Sequence, residues 1–139
     1  MTLEALRLKL DAAKSGTSIV QVVFDYSSYM NYGSKIYPLA LWDFDNLSGT
    51  RNLDSGEKLV NINCWCINEV APEADVVNRH AAWDTIETAF AVYLQSVNEQ
   101  SALTINNSRD MRFEYFPAGL LSLEREMAVR YAVELKLWC

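Results

Sequence analysis

Histidine occurs once, cysteine three times, proline three times and glycine five times in this chain. The three cysteines form an odd set, and Cys64 and Cys66 stand only two apart, so they do not read as a disulfide framework. No G-x-x-x-x-G-K, G-x-G-x-x-G or G-x-S-x-G run is present, and Gly49 and Gly56 stand as separate turn glycines. Apolar runs fall short of the roughly 18 residues that a membrane span needs. Clustered basic residues are missing too. Arg109 with Arg112, and Arg125 with Arg130, are interleaved with Asp110, Glu124 and Glu126. With 12 basic against 18 acidic residues the formal charge is -6, which argues against binding nucleic acid or an anionic membrane surface. The N-terminus, Met-Thr-Leu-Glu-Ala-Leu-Arg, reads as an amphipathic helix and not as a signal segment, so a cytoplasmic protein is expected.

What is present suits one globular domain over residues 1–139. Half of the residues are hydrophobic and 22% are charged, enough for a core without staples. Leu3, Leu6, Leu10 and Ala13 recur at helical spacing over residues 2–14, and Gly16 is a natural stop. Residues 18–26 are β-branched and aromatic and suggest a strand, and residues 27–34 suggest a loop. A second strand is expected over 35–43, with Pro38 at its start or on an edge. Residues 44–57 read as a long polar hairpin connection.

Residues 58–69 form the next strand, with Val60, Ile62, Cys64 and Cys66 on one face and Asn61, Asn63 and Trp65 on the other. Pro72 then breaks the chain. The strongest helix covers 76–98, where Trp83, Ile86, Ala89, Phe90, Tyr93, Leu94 and Val97 make one stripe and Asp75 suits an N-cap. A short strand over 102–105 precedes an Asn106-Asn107-Ser108 turn. Residues 111–116 alternate apolar and charged, and Pro117-Ala-Gly119 interrupts. Over 126–138, Met127, Val129, Tyr131, Val133, Leu135 and Leu137 face one way, and Ala128, Arg130, Ala132, Glu134, Lys136 and Trp138 the other. The order α-β-β-β-α-β-β predicts an α+β fold. A single mostly antiparallel sheet is expected, with one long helix and a short N-terminal helix packed on one face. The second face is left without an evident cover.

Candidate chemistry is thin. As a general base His80 needs a carboxylate orienter and a nucleophile, and a structural or solvent-facing role fits better. Cys64-Trp65-Cys66 lacks both the zinc-knuckle and the C-x-x-C spacing, which leaves buried thiols as small core hydrophobes. Asp43, Asp45 and Asp54 lack the order of a calcium loop and read as turn-solvating acids. Glu124, Arg125, Glu126 and Arg130 read as a charged strand edge that discourages sheet-to-sheet pairing. No catalytic, metal or cofactor site is expected.

A short N-terminal helix precedes Ile36-Tyr-Pro-Leu-Ala-Leu-Trp42. A strand ending near Glu69, an Arg79…Trp83-Asp84…Leu94 helix and a long alternating C-terminal strand follow. In this order of elements, over most of its length, the chain resembles the small neck and tail-completion proteins of tailed bacteriophages. These include tail-terminator-like proteins of crAss-like and other phages of Bacteroidetes hosts. The resemblance implies a structural virion protein, assembled in the host bacterial cytoplasm. It would form a hexameric or dodecameric ring at the head–tail junction or tail end. Its partners would be other copies and other neck or tail proteins, with DNA only passing through the lumen and no membrane involved. A charge of -6 per subunit, multiplied around a ring, would keep that DNA from sticking. The interface residues expected are Asp43, Asp45, Asn46, Asn52, Asp54, Trp65, Arg130 and Trp138, on the 44–57 loop and the second sheet face. The competing reading is a small-molecule-binding or enzymatic domain, with a deep pocket lined by aromatics such as Trp42, Trp65, Trp83 or Tyr115. An adaptor for a cellular protein partner is a third.

Overall fold

The computed structural model describes residues 1–25, 36–69, 76–106, 111–116 and 126–138. The element order is α1 (Leu3–Ala12), β1 (Gln21–Val23), β2 (Leu39–Trp42), β3 (Ser48–Arg51), β4 (Lys58–Glu69), α2 (Val76–Asn98), β5 (Leu103–Ile105), β6 (Arg112–Phe116) and β7 (Glu126–Leu137).

Two 12-residue strands, β4 and β7, form the spine, because each places an apolar residue at every second position through its middle. They pair antiparallel along their whole length, from Lys58 opposite Leu137 to Glu69 opposite Glu126. Each carries two short strands on its other edge. β2 and β3 share the outer edge of β4, and β5 and β6 share the outer edge of β7. β1 extends the β2 side. The sheet curls into a half-barrel.

The hollow of the half-barrel holds the main core. Val60, Ile62, Cys64 and Cys66 meet Met127, Val129, Val133, Leu135 and Leu137 there, on the faces that alternation assigns them. Helix α2 lays Ile86, Phe90, Tyr93 and Val97 on this surface, and Phe90 stacks on Tyr131 with ring centroids 4.7 Å apart. Burying each such large side chain contributes about 1.5–3 kcal/mol. Helix α1 adds Leu6, Leu10 and Ala13 to the same core. Its start is capped by Thr2, whose Oγ1 accepts from the Ala5 amide at 3.1 Å. Its exit passes through Gly16 at φ +74°. One polar tie joins the layers: Trp42 Nε1 donates to Tyr93 Oη at 2.9 Å, and Tyr93 Oη donates to the Leu10 carbonyl at 2.7 Å.

Several expectations need correction. The connection over 44–57 is not all loop, since it contains β3. That strand has four exposed residues and no apolar alternation, and it is held by pairing with Asn61, Val60, Leu59 and Lys58. Gly49 makes this pairing feasible, because a Cβ there would lie 1.8 Å from the Leu59 carbonyl oxygen. The strand expected over 18–26 shrinks to Gln21–Val23, and it runs parallel to β2 in a sheet that is mostly antiparallel, as expected, but curled. The second face is not bare either. Val23, Leu39, Leu41, Ile67 and Ala128 form a small core there, flanked by Tyr37, Trp65 and Phe116. The 27–34 loop, Pro72, the Asp75 cap, the Asn107-Ser108 turn, Pro117-Ala-Gly119 and Cys139 lie outside the described residues.

Candidate functional site

The register turns the second face into rows that cross the sheet. One row runs Leu39, Ile67, Ala128, Phe116, and the next Leu41, Trp65, Arg130, Glu114. Toward the middle of the spine the rows become polar: Asn63, Ala132, Arg112, and then Ser48, Asn61, Glu134. The flanking strands are interrupted at this level, β2 from β3 on one side and β5 from β6 on the other. An open depression of about 580 Å³ lies across the middle, lined by Asn46, Asn61, Asn63, Asn106, Arg112 and Glu134 among others. Asn106 fastens its rim, since its Nδ2 donates to the Glu134 carboxylate and its amide to the Glu134 carbonyl at 2.8 Å.

The residues expected at an interface are distributed as follows. Asp43 is buried at the end of β2, with 8% of its surface exposed. One carboxylate oxygen accepts from Asn46 Nδ2 at 2.9 Å, and the other has no partner among the described residues. It is therefore not the exposed turn acid that the sequence suggested. The Asp43 amide donates to the Asn63 carbonyl at 3.0 Å, which carries the β2–β4 pairing one residue further. Asp45 and Asn46 are exposed beside it. Asn52 builds the β3–β4 turn: its Oδ1 accepts from the amides of Asp54 (2.9 Å) and Ser55 (3.1 Å). Asp54 is exposed on that turn. Trp65 is half-buried on the second-face core, and its Nε1 is buried without a partner among the described residues. Arg130, opposite Trp65, pairs with Glu114 and lies over the Phe116 ring at 5.3 Å. Trp138 packs under Lys136 Nζ at 5.2 Å, and its amide donates to the Ala102 carbonyl. Asp45, Asn46, Asn52 and Asp54 thus share the β3 flank. Trp65 and Arg130 share a row, and Trp138 stands at the far end of β7.

Two features on the flanks escaped sequence reasoning. Leu53, at the tip of the β3–β4 turn, is 87% exposed. On the opposite flank β6 exposes Phe113 (57%) and Tyr115 (42%), and Tyr115 lies 5.1 Å from the Trp83 ring. A hydrogen bond to Glu87 raises the Tyr115 phenol pKa above its ordinary value. The alternation over 111–116 was the available signal for this aromatic edge, since Phe113 and Tyr115 are two apart.

Chemistry is confined by burial. The Cys64 and Cys66 thiols are fully buried, and desolvation drives both pKa values far up. They remain neutral thiols, with Cys66 Sγ donating to the Ile86 carbonyl at 3.9 Å. His80 is exposed, 6.0 Å from the Trp83 ring. Among the described residues no group of three or more His, Cys, Asp or Glu side chains could hold a metal ion. No helix among them is long and apolar enough to cross a membrane. Trp42, Trp65, Trp83 and Tyr115 do not converge: Trp42 is in the main core and Trp65 on the other face. None of the four lines the depression. No protein-family model matches the chain, and no curated protein matches its sequence.

Proposed function

We propose that this chain is a structural assembly protein of a tailed phage virion, a subunit of a ring at the head–tail junction or tail end. The observation that carries the reading is the open half-barrel with two unlike flanks. On one flank β3 exposes all four of its residues and ends in the Leu53 turn. On the other, β6 exposes Arg112 through Tyr115. Surfaces of different chemistry on opposite flanks support head-to-tail contacts, which close into rings or run on as filaments. An open edge would otherwise be a site for uncontrolled pairing. The order of elements supports the phage assignment. The charge of -6 suits a lumen through which DNA slides without binding. The proposal assigns the chain no catalytic turnover.

Negative-stain electron microscopy of the concentrated protein tests this reading. It should show annular particles with a central opening. A field of isolated subunits under the same conditions would count against it.

The polar depression favours one other reading, a binding domain for a hydrophilic small molecule. Its amide-rich lining offers donors and acceptors, but the depression is open to solvent. A ligand that raises the melting temperature of the wild type but not of an Asn61→Ala, Asn63→Ala variant would favour it.

A further inference from the structure

The geometry points to a specific contact between copies of this chain: the Leu53–Asp54 tip of one subunit seated in the hollow beside Arg112 of the next. This rests on the ring reading above and names its interface.

The tip is built to be presented. Besides the two amides held by Asn52 Oδ1, the Asn52 amide donates to the Glu57 carbonyl at 2.8 Å, and the Gly56 amide to the Asn52 carbonyl at 2.9 Å. Ser55 Oγ accepts from the Glu57 amide at 3.3 Å. Single exposed leucines are common on surfaces and need no partner. Leu53 differs in standing at the apex of a turn already ordered by these bonds, so seating it would freeze little backbone freedom. Within Asn52–Gly56 the single charge is Asp54. Arg51 and Lys58 face each other at the base of the hairpin, behind the tip. Glu57 is engaged by Lys136 at 3.4 Å.

The opposite flank offers the complement. A hollow of about 390 Å³ is lined by Met111, Arg112, Phe113, Glu114, Arg130 and Ala132. Ala132, small and exposed opposite Arg112, leaves room there for a branched side chain. Glu114 is paired with Arg130, while Arg112 is exposed and has no ion-pair partner among the described residues. The hollow thus carries one positive charge in excess, facing outward, against the one negative charge of the tip. Because β3 lies on the outer edge of β4 and β6 on the outer edge of β7, tip and hollow belong to opposite flanks. One subunit cannot satisfy both, so each contact passes the unmet half to the next copy.

The test uses four full-length variants: Leu53→Asp, Arg112→Asp, Asp54→Arg, and the double variant Asp54→Arg, Arg112→Asp. Self-association is read by native mass spectrometry and sedimentation, and folding by thermal melting. The three residues are exposed, so melting should hold. Each single variant should weaken self-association about tenfold or more. An equimolar mixture of Leu53→Asp with Arg112→Asp keeps one good tip and one good hollow, and it should give heterodimers and nothing larger. The double variant should recover assembly that both of its single changes lose. Single variants that assemble like the wild type overturn this interface and leave the ring reading standing. So does a mixture without heterodimers. A wild type that stays monomeric throughout overturns both.

Discussion

At the scale of single residues, the structure concentrates its consequences in a few buried polar atoms. Tyr93 joins β2, α1 and α2 through one hydroxyl. Tyr93→Phe keeps the ring and removes both bonds, leaving Trp42 Nε1 buried without an acceptor. The expected cost is about 1–3 kcal/mol in urea unfolding. A loss within error of zero would mean that the hydroxyl is incidental to the core. The buried thiols make a second prediction. Burial raises the folded-state pKa of Cys64 and Cys66, and of the Tyr93 phenol. The folded chain therefore keeps protons that the unfolded chain releases, from about pH 8.5 for a thiol and about pH 10 for a phenol. Stability is fully present below those values and falls as pH rises through and beyond them. Each thiol contributes a slope of up to about 1.4 kcal/mol per pH unit. Unfolding free energies at pH 8 and pH 10 should differ accordingly, and the difference should shrink in a Cys64→Ala, Cys66→Ala variant. Equal differences in wild type and variant would contradict the assignment.

Among the elements, β3 depends most on one atom that is not there. Gly49 has no Cβ to strike the Leu59 carbonyl oxygen, and Ala would force the two strands apart. Gly49→Ala should destabilise the chain by about 1–3 kcal/mol. It should also remove amide-exchange protection from Ser48–Arg51 while sparing β7. Unaltered protection there would show that β3 does not need the close approach. The same strand shows where sequence reasoning fell short. β4, α2 and β7 were legible because an apolar residue recurs at every second position, or at helical spacing, through most of each. Ser48-Gly-Thr-Arg51 has neither, and the strand forms because its neighbour is already extended. The small core on the second face was hidden differently. Leu39 and Leu41 alternate with Ala40 and Trp42, so β2 is apolar on both faces, and alternation cannot say that both are covered. For the candidate site, the polar 44–57 segment and the Trp65–Arg130 face were visible in the pattern. The burial of Asp43 and the exposure of Leu53 were not, because both follow from where a turn places a side chain.

For the whole molecule, the open half-barrel is the property that matters. The spine of β4 and β7 is continuous and each flank is interrupted midway, so the two sides remain available and unlike. Charge on the β3 flank should govern assembly and not folding. Replacing Asp45 and Asp54 by Lys is expected to leave the circular dichroism spectrum and melting temperature unchanged and to impair self-association. Self-association at wild-type strength in that double variant would remove the 44–57 segment from the interface.

Head-to-tail association of this chain into a closed ring is the proposal on which the rest depends. The most direct measurement is its absolute mass in solution, by native mass spectrometry or light scattering over a concentration series. A closed hexamer or dodecamer, or a climb toward one as concentration rises, is the expected result. A strict monomer, or a dimer that does not grow at the highest concentration, would contradict it.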